Sequence, residues 1–254
     1  MRALTSLSLA LVSLSTLAVG CAAQDDAADD DLAGEADLDA EDAKTDGGSA
    51  KDSYYTVEAI QALGSIGSHP PIMYVMRRAN ATKTLCSDGV RRDGCAVSTL
   101  DFSAIRFAEQ QERGLRGTLS QKINNGQIAL MVRGKLMADK IVAKEVWQQD
   151  ADLSGVPNGG AYGVAVKIKD SGIRCVAAPC PTLREDKLNS ATNANLNSMV
   201  LPSDELTDRA WNAAYDVGDG TPGSAAGVMI IGYKKTVRGE RVRDANAVFF
   251  RIGK

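Results

Sequence analysis

The sequence predicts an α+β fold with two similar halves, each running strand, Cys loop, strand, helix, strand, strand around a mainly antiparallel sheet. Two observations favour this class. An apolar segment of β type followed by two cysteines occurs twice, before Cys86 and Cys95 and again before Cys175 and Cys180. After each cysteine pair come a segment of helical periodicity and two further apolar segments. The repetition favours a duplicated unit over two unrelated domains.

Residues 1–20 have the pattern of a bacterial lipoprotein signal peptide. One positive charge, on Arg2, precedes an uncharged run that is too short and too rich in Ser and Thr to span a membrane. The stretch Leu-Ala-Val-Gly-Cys that ends at Cys21 resembles a lipobox, so we expect cleavage before Cys21 and a lipid on its sulfur. The five cysteines agree with this, because two bridges would leave one cysteine over. The alternative is ordinary secretion, since small residues also precede Cys21.

Residues 21–52 include an acidic run that we expect to be a disordered tether. Residues 22–52 contain twelve Asp or Glu against two Lys, and such a composition cannot bury a core. The remainder, residues 53–254, carries 26 basic against 20 acidic residues. Either the tether is simply solvated and extended by self-repulsion, or it keeps the basic domain away from anionic lipids or polymers.

The first half is assigned to residues 53–150. Its helix is predicted from Leu115, Leu119 and Ile123, which share one face, and an Asn-Asn-Gly stop at residues 124–126 ends it. The predicted strands of this half are residues 72–78, 99–103, 128–132 and 142–147.

The second half is assigned to residues 151–254. Ser203 is the predicted N-cap of its helix, and Asp204 and Glu205 favour the positive end of the helix dipole. The helical residues expected to face the core are Leu206, Ala210, Trp211 and Ala214. The predicted strands of this half are residues 161–169, 187–190, 228–233 and 247–252.

The four cysteines after Cys21 are expected to form two local disulfides, Cys86–Cys95 and Cys175–Cys180. An exported protein meets an oxidising environment in which such bridges persist. Four cysteines allow three connectivities, of which this is the local one. A four-cysteine zinc site is the rival, although these spacings differ from the close pairs of zinc ribbons.

The loop between Cys175 and Cys180 is the candidate partner-binding element. It is small, apolar and stiffened by proline, so Ala177, Ala178 and Pro179 have little conformational entropy to lose on binding. A constrained loop of this kind suits a protease inhibitor. The alternative is a structural clamp at the end of a strand.

The sequence contains no recognisable catalytic or metal-binding constellation. His69 is the single histidine, and no Gly-x-Ser-x-Gly elbow is present. Residues 218–223 lack the Lys-Ser/Thr of a phosphate loop, and Asp216 and Asp219 are too few for a calcium motif. We therefore expect no cofactor, no metal and no enzymatic activity. The basic clusters lack interleaved aromatic residues, so a nucleic-acid partner is not expected either.

Several segments resemble a family of uncharacterised exported lipoproteins of myxobacterial type. They are the Gly-Ile-Arg-Cys stretch ending at Cys175, the Pro-Cys-Pro stretch around Cys180, and the segments 74–78, 100–103 and 188–190. The resemblance covers about residues 70–254 and brings no catalytic residue, because the family has no assigned activity. Here His-Pro-Pro replaces the Pro-Leu-Cys that precedes the first strand in relatives, which argues against a third bridge.

These observations predict a membrane-anchored envelope lipoprotein that binds a protein or polymer partner without catalysis. Because no Asp follows Cys21, the expected location is the outer membrane, on its periplasmic face or at the cell surface. The second hypothesis is a protease inhibitor acting through the loop between Cys175 and Cys180. A hydrolase is the third. Oligomeric state is left open.

Overall fold

Strands account for most of the regular structure. The computed structural model describes residues 52–61, 71–107, 109–123, 128–150, 163–215 and 227–253. Of these residues, 52% lie in strands and 15% in two helices. The α+β class predicted from the sequence is therefore wrong, and the fold is largely β. The two helices only cover one face of a single large sheet that is mostly antiparallel.

The described part of the first half holds eight strands and one helix. The helix is α1 (Glu109–Gln121), between β6 and β7. The strands are β1 (Ser53–Gln61), β2 (Ile72–Arg78), β3 (Thr84–Leu85), β4 (Arg91–Arg92), β5 (Cys95–Val97), β6 (Thr99–Asp101), β7 (Leu130–Leu136) and β8 (Lys140–Gln149).

The described part of the second half holds six strands and one helix. The helix is α2 (Asp204–Tyr215), between β12 and β13. The strands are β9 (Val164–Asp170), β10 (Leu183–Lys187), β11 (Asn193–Leu196), β12 (Ser198–Val200), β13 (Val228–Val237) and β14 (Glu240–Ile252). The strand predicted at 187–190 is thus misplaced, since β10 ends at Lys187 and a turn follows.

One sheet runs through both halves, in the order β11-β10-β9-β13-β14-β8-β7-β1-β2-β5. Two short strands each pair in parallel with a long one, β6 with β8 and β12 with β14. The other pairs of this sheet are antiparallel. Strands β3 and β4 form a separate hairpin. The halves meet where β8 pairs with β14.

The pairing repeats about a local two-fold axis at the β8–β14 seam. Gln148 lies opposite Phe250, and the flanking pairs are Trp147 with Arg251 and Gln149 with Phe249. Outward from this seam, β7 corresponds to β13, β1 to β9, β2 to β10 and β5 to β11. Most paired positions of the sheet in one half therefore have an equivalent position in the other.

The correspondence predicted from the sequence is displaced by one strand. It matched residues 72–78 with 161–169, whereas β2 corresponds to β10 and β9 corresponds to β1. The two Cys loops are consequently not equivalent. The first lies between β2 and β5, and the second joins β9 to β10.

Glycines allow the same β-bulge in both halves. The register shifts between Arg133 and Gly134 in one half and between Ile231 and Gly232 in the other. A Cβ atom on Gly134 would lie 2.2 Å from the carbonyl oxygen of Val142, and the corresponding approach at Gly232 is 2.0 Å. Only glycine admits this close backbone contact.

Alternating residues of the strands send their side chains to the two faces of the sheet, which together hold three apolar clusters. On the helix face, Leu115 and Leu119 of α1 pack with Leu130 and Val132 of β7 in one cluster. A second cluster on the same face joins α2 to the second half, through residues such as Leu206, Ala210 and Ile230. The opposite face, here called the junction face, holds a third cluster to which both halves contribute. Its buried members are Ala79, Met131, Trp147, Ala165, Leu188, Met229, Ile231, Ala247 and Phe249.

Two asparagines, here called the asparagine clasp, join the halves on the junction face. Asn80 and Asn189 both have positive φ, at 59° and 60°. Each side chain makes three hydrogen bonds to the backbone of the other half. Asn80 donates to the carbonyls of Ala165 (2.7 Å) and Leu188 (3.0 Å) and accepts from the Ala165 N–H (2.7 Å). Asn189 donates to the carbonyls of Tyr54 (2.9 Å) and Ala79 (2.9 Å) and accepts from the Tyr54 N–H (2.8 Å).

Candidate functional site

The loop between Cys175 and Cys180 leaves the sheet at the end of β9 and is closed by a disulfide. Its tip is exposed from Val176 to Pro179, and the Val176 side chain has no shielding from solvent at all. An apolar side chain held in full contact with water is available to a partner surface. The loop residues predicted to bind a partner, Ala177, Ala178 and Pro179, lie at this exposed tip.

The base of the loop is fixed by polar contacts. The Arg174 guanidinium donates to both carboxylate oxygens of Asp170, at 2.9 and 2.7 Å. This pairing, with the Gly172 N–H, lowers the pKa of Asp170 to about 2. Ser171 donates to the carbonyl of Pro181 at 3.0 Å and accepts from the Ile173 N–H at 3.0 Å. The exposed tip therefore stands on a rigid support.

The other Cys loop has a different character. Cys86 and Cys95 form the second disulfide, and both are buried. The buried Thr84 hydroxyl accepts a 2.8 Å hydrogen bond from the Arg78 N–H. Cys86 directly follows β3 and Cys95 begins β5, with β4 between them, so this bridge ties the β3–β4 hairpin to the edge of the sheet. Both disulfides expected from the sequence are thus present, and they indicate an oxidising, extracellular-type environment.

A charged cluster surrounds Trp147 on the junction face. It consists of Tyr54, Arg133, Glu145, Lys167 and Arg251. The Glu145 carboxylate accepts from Arg133 at 2.8 Å, from the Trp147 indole N–H at 3.4 Å and from the Tyr54 hydroxyl at 3.5 Å. Burial, and then the Glu145 charge, raise the pKa of Tyr54 to about 12.

Glu145 stays ionised in this cluster. Burial alone would raise its pKa, but the hydrogen bond from Arg133 and the charges of Lys167, Arg133 and Arg251 together lower it. The carboxylate is thereby fully engaged by its neighbours.

Two cations of the cluster have no anionic partner within ion-pair distance in the described part of the chain. The Lys167 ammonium lies over the Trp147 ring, 5.3 Å from its centroid. Burial lowers the pKa of Lys167, and repulsion from Lys169 and Arg251 adds to the effect, while the charges of Glu145 and Asp186 oppose it. Arg251 lies opposite Trp147 on β14 and is half-buried. Glu145 therefore faces three cations and forms an ion pair with one of them, Arg133.

A cleft of about 490 Å³ opens beside the asparagine clasp, on the other side of the two-fold axis from this cluster. Its floor is apolar or small, with Ala79, Ile128, Gly163, Ala165 and Ile231. Its wall carries Thr56 and the Glu58–Arg77 ion pair. Ala165 and Ile231 of the cleft are equivalent, by the two-fold axis, to Tyr54 and Arg133 of the charged cluster. The larger side chains fill that space in the cluster.

The sequence did not point to the charged cluster. Its residues come from β1, β7, β8, β9 and β14, and only the strand register brings them together. The available signal was the spacing of Glu145 and Trp147, which put a charge and an aromatic ring on the same face of one strand.

Several residues of the basic clusters at 77–78, 91–92 and 234–243 are paired with carboxylates. Arg77 pairs with Glu58, Arg92 with Asp88 at 2.6 Å, and Lys235 with Asp244 at 2.6 Å. Exposed pairs of this kind contribute little to stability and leave little net charge for a partner.

Other residues singled out in the sequence lie outside the described residues. They are Cys21, His69, Asp216, Asp219 and the loop 218–223. Within the described ranges, no group of three or more His, Cys, Asp or Glu side chains is arranged to hold a metal ion. In the same ranges, none of the helices is long and apolar enough to cross a membrane.

Comparison with known proteins gives one match. The sequence profile of a domain of unknown function, DUF6748, matches residues 73–249. That range begins in β2 and ends in β14, so it includes both Cys loops and the seam. No curated protein and no solved structure matches.

Proposed function

We propose that this protein, which belongs to the DUF6748 family, a domain of unknown function, is a binding module of the cell envelope without enzymatic activity. Features of its own surface support this role. A lipid on Cys21 would hold it at the outer membrane, on the periplasmic face or at the cell surface. The acidic residues after Cys21 would space the folded part from the headgroups. The partner is a protein or a polymer.

The observation that carries this proposal is the exposed tip of the loop between Cys175 and Cys180. Val176 is fully exposed, while the contacts of Asp170, Arg174 and Ser171 fix the base below it. A loop already ordered before binding loses little entropy on association, so a small apolar contact can suffice for recognition. A mere clamp of the strand end would not require an apolar side chain at the tip.

A photo-reactive amino acid at position 176 tests the loop in the full chain, in the cells that make the protein. We expect one discrete cross-linked species at position 176 and none at position 200, because Val200 is an exposed valine on β12, far along the chain from the loop. Replacing Cys175 and Cys180 by serine should abolish the species. Identical products at both positions, or none at position 176, would refute a role for the loop.

The anchor has its own test. Metabolic labelling with a palmitate analogue should tag the wild-type protein, and Cys21→Ala should remove both the label and the membrane fractionation. A labelled Cys21→Ala protein, or unchanged fractionation, contradicts lipidation at this residue.

A protease inhibitor is the second candidate, favoured by the disulfide-closed loop with its exposed Val176 and proline. Such a loop would enter a protease cleft and resist cleavage. A panel of serine proteases with small or apolar specificity should reveal inhibition, and Val176→Asp should remove it. Inactivity across the panel dismisses this candidate and leaves the binding-module proposal standing.

A further inference from the structure

We propose that the charged cluster on the junction face is a binding site for an oxyanion, held by the Lys167 ammonium and the Arg251 guanidinium beside the Trp147 ring. The site is separate from the loop between Cys175 and Cys180 and does not depend on the binding role proposed for that loop.

The first argument is charge balance. Arg133, Lys167 and Arg251 converge on one carboxylate, Glu145, which Arg133 already binds at 2.8 Å. Within the described ranges, neither Lys167 nor Arg251 makes an ion pair, and the Lys167 ammonium lies over the Trp147 ring. Asp186 also attracts Lys167, but its carboxylate is already paired with Lys169 and Arg184. Half-buried cations without a direct ion-pair partner have lost part of their hydration without full replacement, which is unfavourable. An anion between them would supply the missing interaction.

The second argument comes from the two-fold repeat. The positions equivalent to Arg133, Glu145, Lys167 and Arg251 in the other half are occupied by uncharged residues. They are Ile231, Ala247, Thr56 and Gln149. The same sheet geometry therefore forms without these charges, so the fold itself does not require them. A binding role accounts for their presence on one side of the two-fold axis only.

The third argument concerns ligand chemistry. A planar guanidinium offers parallel N–H donors and an ammonium offers a point charge, which together suit a carboxylate or a phosphate. Two sources share this chemistry: a separate oxyanion in solution, and the carboxylates of the chain's own acidic residues 22–52.

Fluorescence of Trp147 gives a direct measurement. In the full chain with Trp211→Phe, Trp147 is the only remaining tryptophan. Sodium phosphate is titrated at constant ionic strength, with sodium chloride replaced in proportion. We expect a saturable change in Trp147 emission, because Lys167 lies over the ring.

Two variants test the cations of the cluster directly. Lys167→Thr and Arg251→Gln introduce the residues found at the equivalent positions, so the scaffold should accept them, and each should weaken phosphate binding at least tenfold. Lys235→Thr serves as the matched control. It removes a cation of β13 that is paired with Asp244, and it should leave phosphate binding unchanged. If one cluster variant fails to fold, as judged by its thermal transition, the other carries the test.

Deleting residues 25–46 separates the two sources. Unchanged affinity in the deletion identifies an external oxyanion, and a gain of tenfold or more shows that the acidic residues compete for the same site. The proposal is overturned if neither the full chain nor the deletion gives a saturable response to phosphate, or if both cluster variants bind phosphate as well as the parent.

Discussion

Arg243 and Glu185 form a buried ion pair on the helix face of the second half, where the first half is apolar. Their side chains are 2% and 6% exposed. By the two-fold correspondence, Arg243 takes the place of Ile141 and Glu185 that of Met76, both fully buried in the first-half core. The perturbation is therefore Glu185→Met, Arg243→Ile, and the two combined.

The contacts give the expected magnitudes. The Arg243 guanidinium donates to one Glu185 oxygen at 2.9 and 2.6 Å and to the Gly232 carbonyl at 3.1 Å. Either single substitution leaves an unpaired buried charge, which costs about 3–5 kcal/mol. The double substitution removes both charges and leaves the Gly232 carbonyl without its donor, which costs about 1–3 kcal/mol, and apolar contacts offset part of this cost. We expect a coupling energy of at least about 4 kcal/mol.

Urea unfolding with both disulfides oxidised measures these free energies, because urea leaves the ionic strength unchanged. The two single variants should lose most of their stability, and the double variant should unfold within about 2 kcal/mol of the wild type. Additive losses in the double variant would refute the reasoning, since the second half would then need this ion pair for more than charge compensation.

Three further predictions concern other contacts. Asn189→Gly keeps the positive φ but removes three hydrogen bonds to the first half, so it should lower the free energy of unfolding by about 2–4 kcal/mol in urea, whereas Arg238→Gly, also at positive φ, should change it by less than about 1 kcal/mol. Gly232→Ala should destabilise the fold by about 3 kcal/mol or more, because the new Cβ would lie 2.0 Å from a carbonyl oxygen. Gly117→Ala, in open space on α1, should stabilise it by up to about 1 kcal/mol, and equal effects of the two changes would contradict the bulge argument. Because the pKa of Tyr54 is raised to about 12, the unfolded chain releases this proton first, so stability should fall as pH rises from about 10 to about 12, and Tyr54→Phe should reduce that slope in unfolding curves.

The local patterns of the sequence located most of the long strands and both helices. The segments 72–78, 128–132 and 142–147 lie within or overlap β2, β7 and β8, and Ser203 caps α2 by accepting a 3.2 Å hydrogen bond from the Leu206 N–H. These elements follow from periodicity and capping chemistry, which depend on neighbouring residues alone.

The errors concern properties that depend on distant residues. Strand β1 was missed, although Tyr55, Val57 and Ala59 alternate as buried residues, because its intervening positions are polar. The short strands β3 to β5 were also missed because they have no periodicity to detect, whereas β6 lies within the strand predicted at 99–103. The two Cys loops were aligned by their cysteines, whereas the sheet aligns the strands, so the repeat was displaced. The fold class was wrong for the same reason. The sequence shows one helix in each half but does not show that the strands of both halves join into one large sheet, beside which the two helices are a minor part.

The charged cluster lay beyond prediction for a similar reason. Lys167 and Trp147 are 20 positions apart in sequence and meet only because β9, β13, β14 and β8 are neighbours in the sheet. Single-sequence patterns contain no information on which strand faces which. The asparagine clasp was equally hidden, since a lone Asn in a turn is common.

The position of β1 has a mechanical consequence for any load applied through the residues that precede it. Strand β1 lies inside the sheet, with seven residue pairs to β2 and five to β7. A pull along the strand axis from Ser53 would strain these pairs together, in shear, rather than opening them one after another from an edge. Entry of the chain through an interior strand therefore makes the fold resistant to extraction from its N-terminal side.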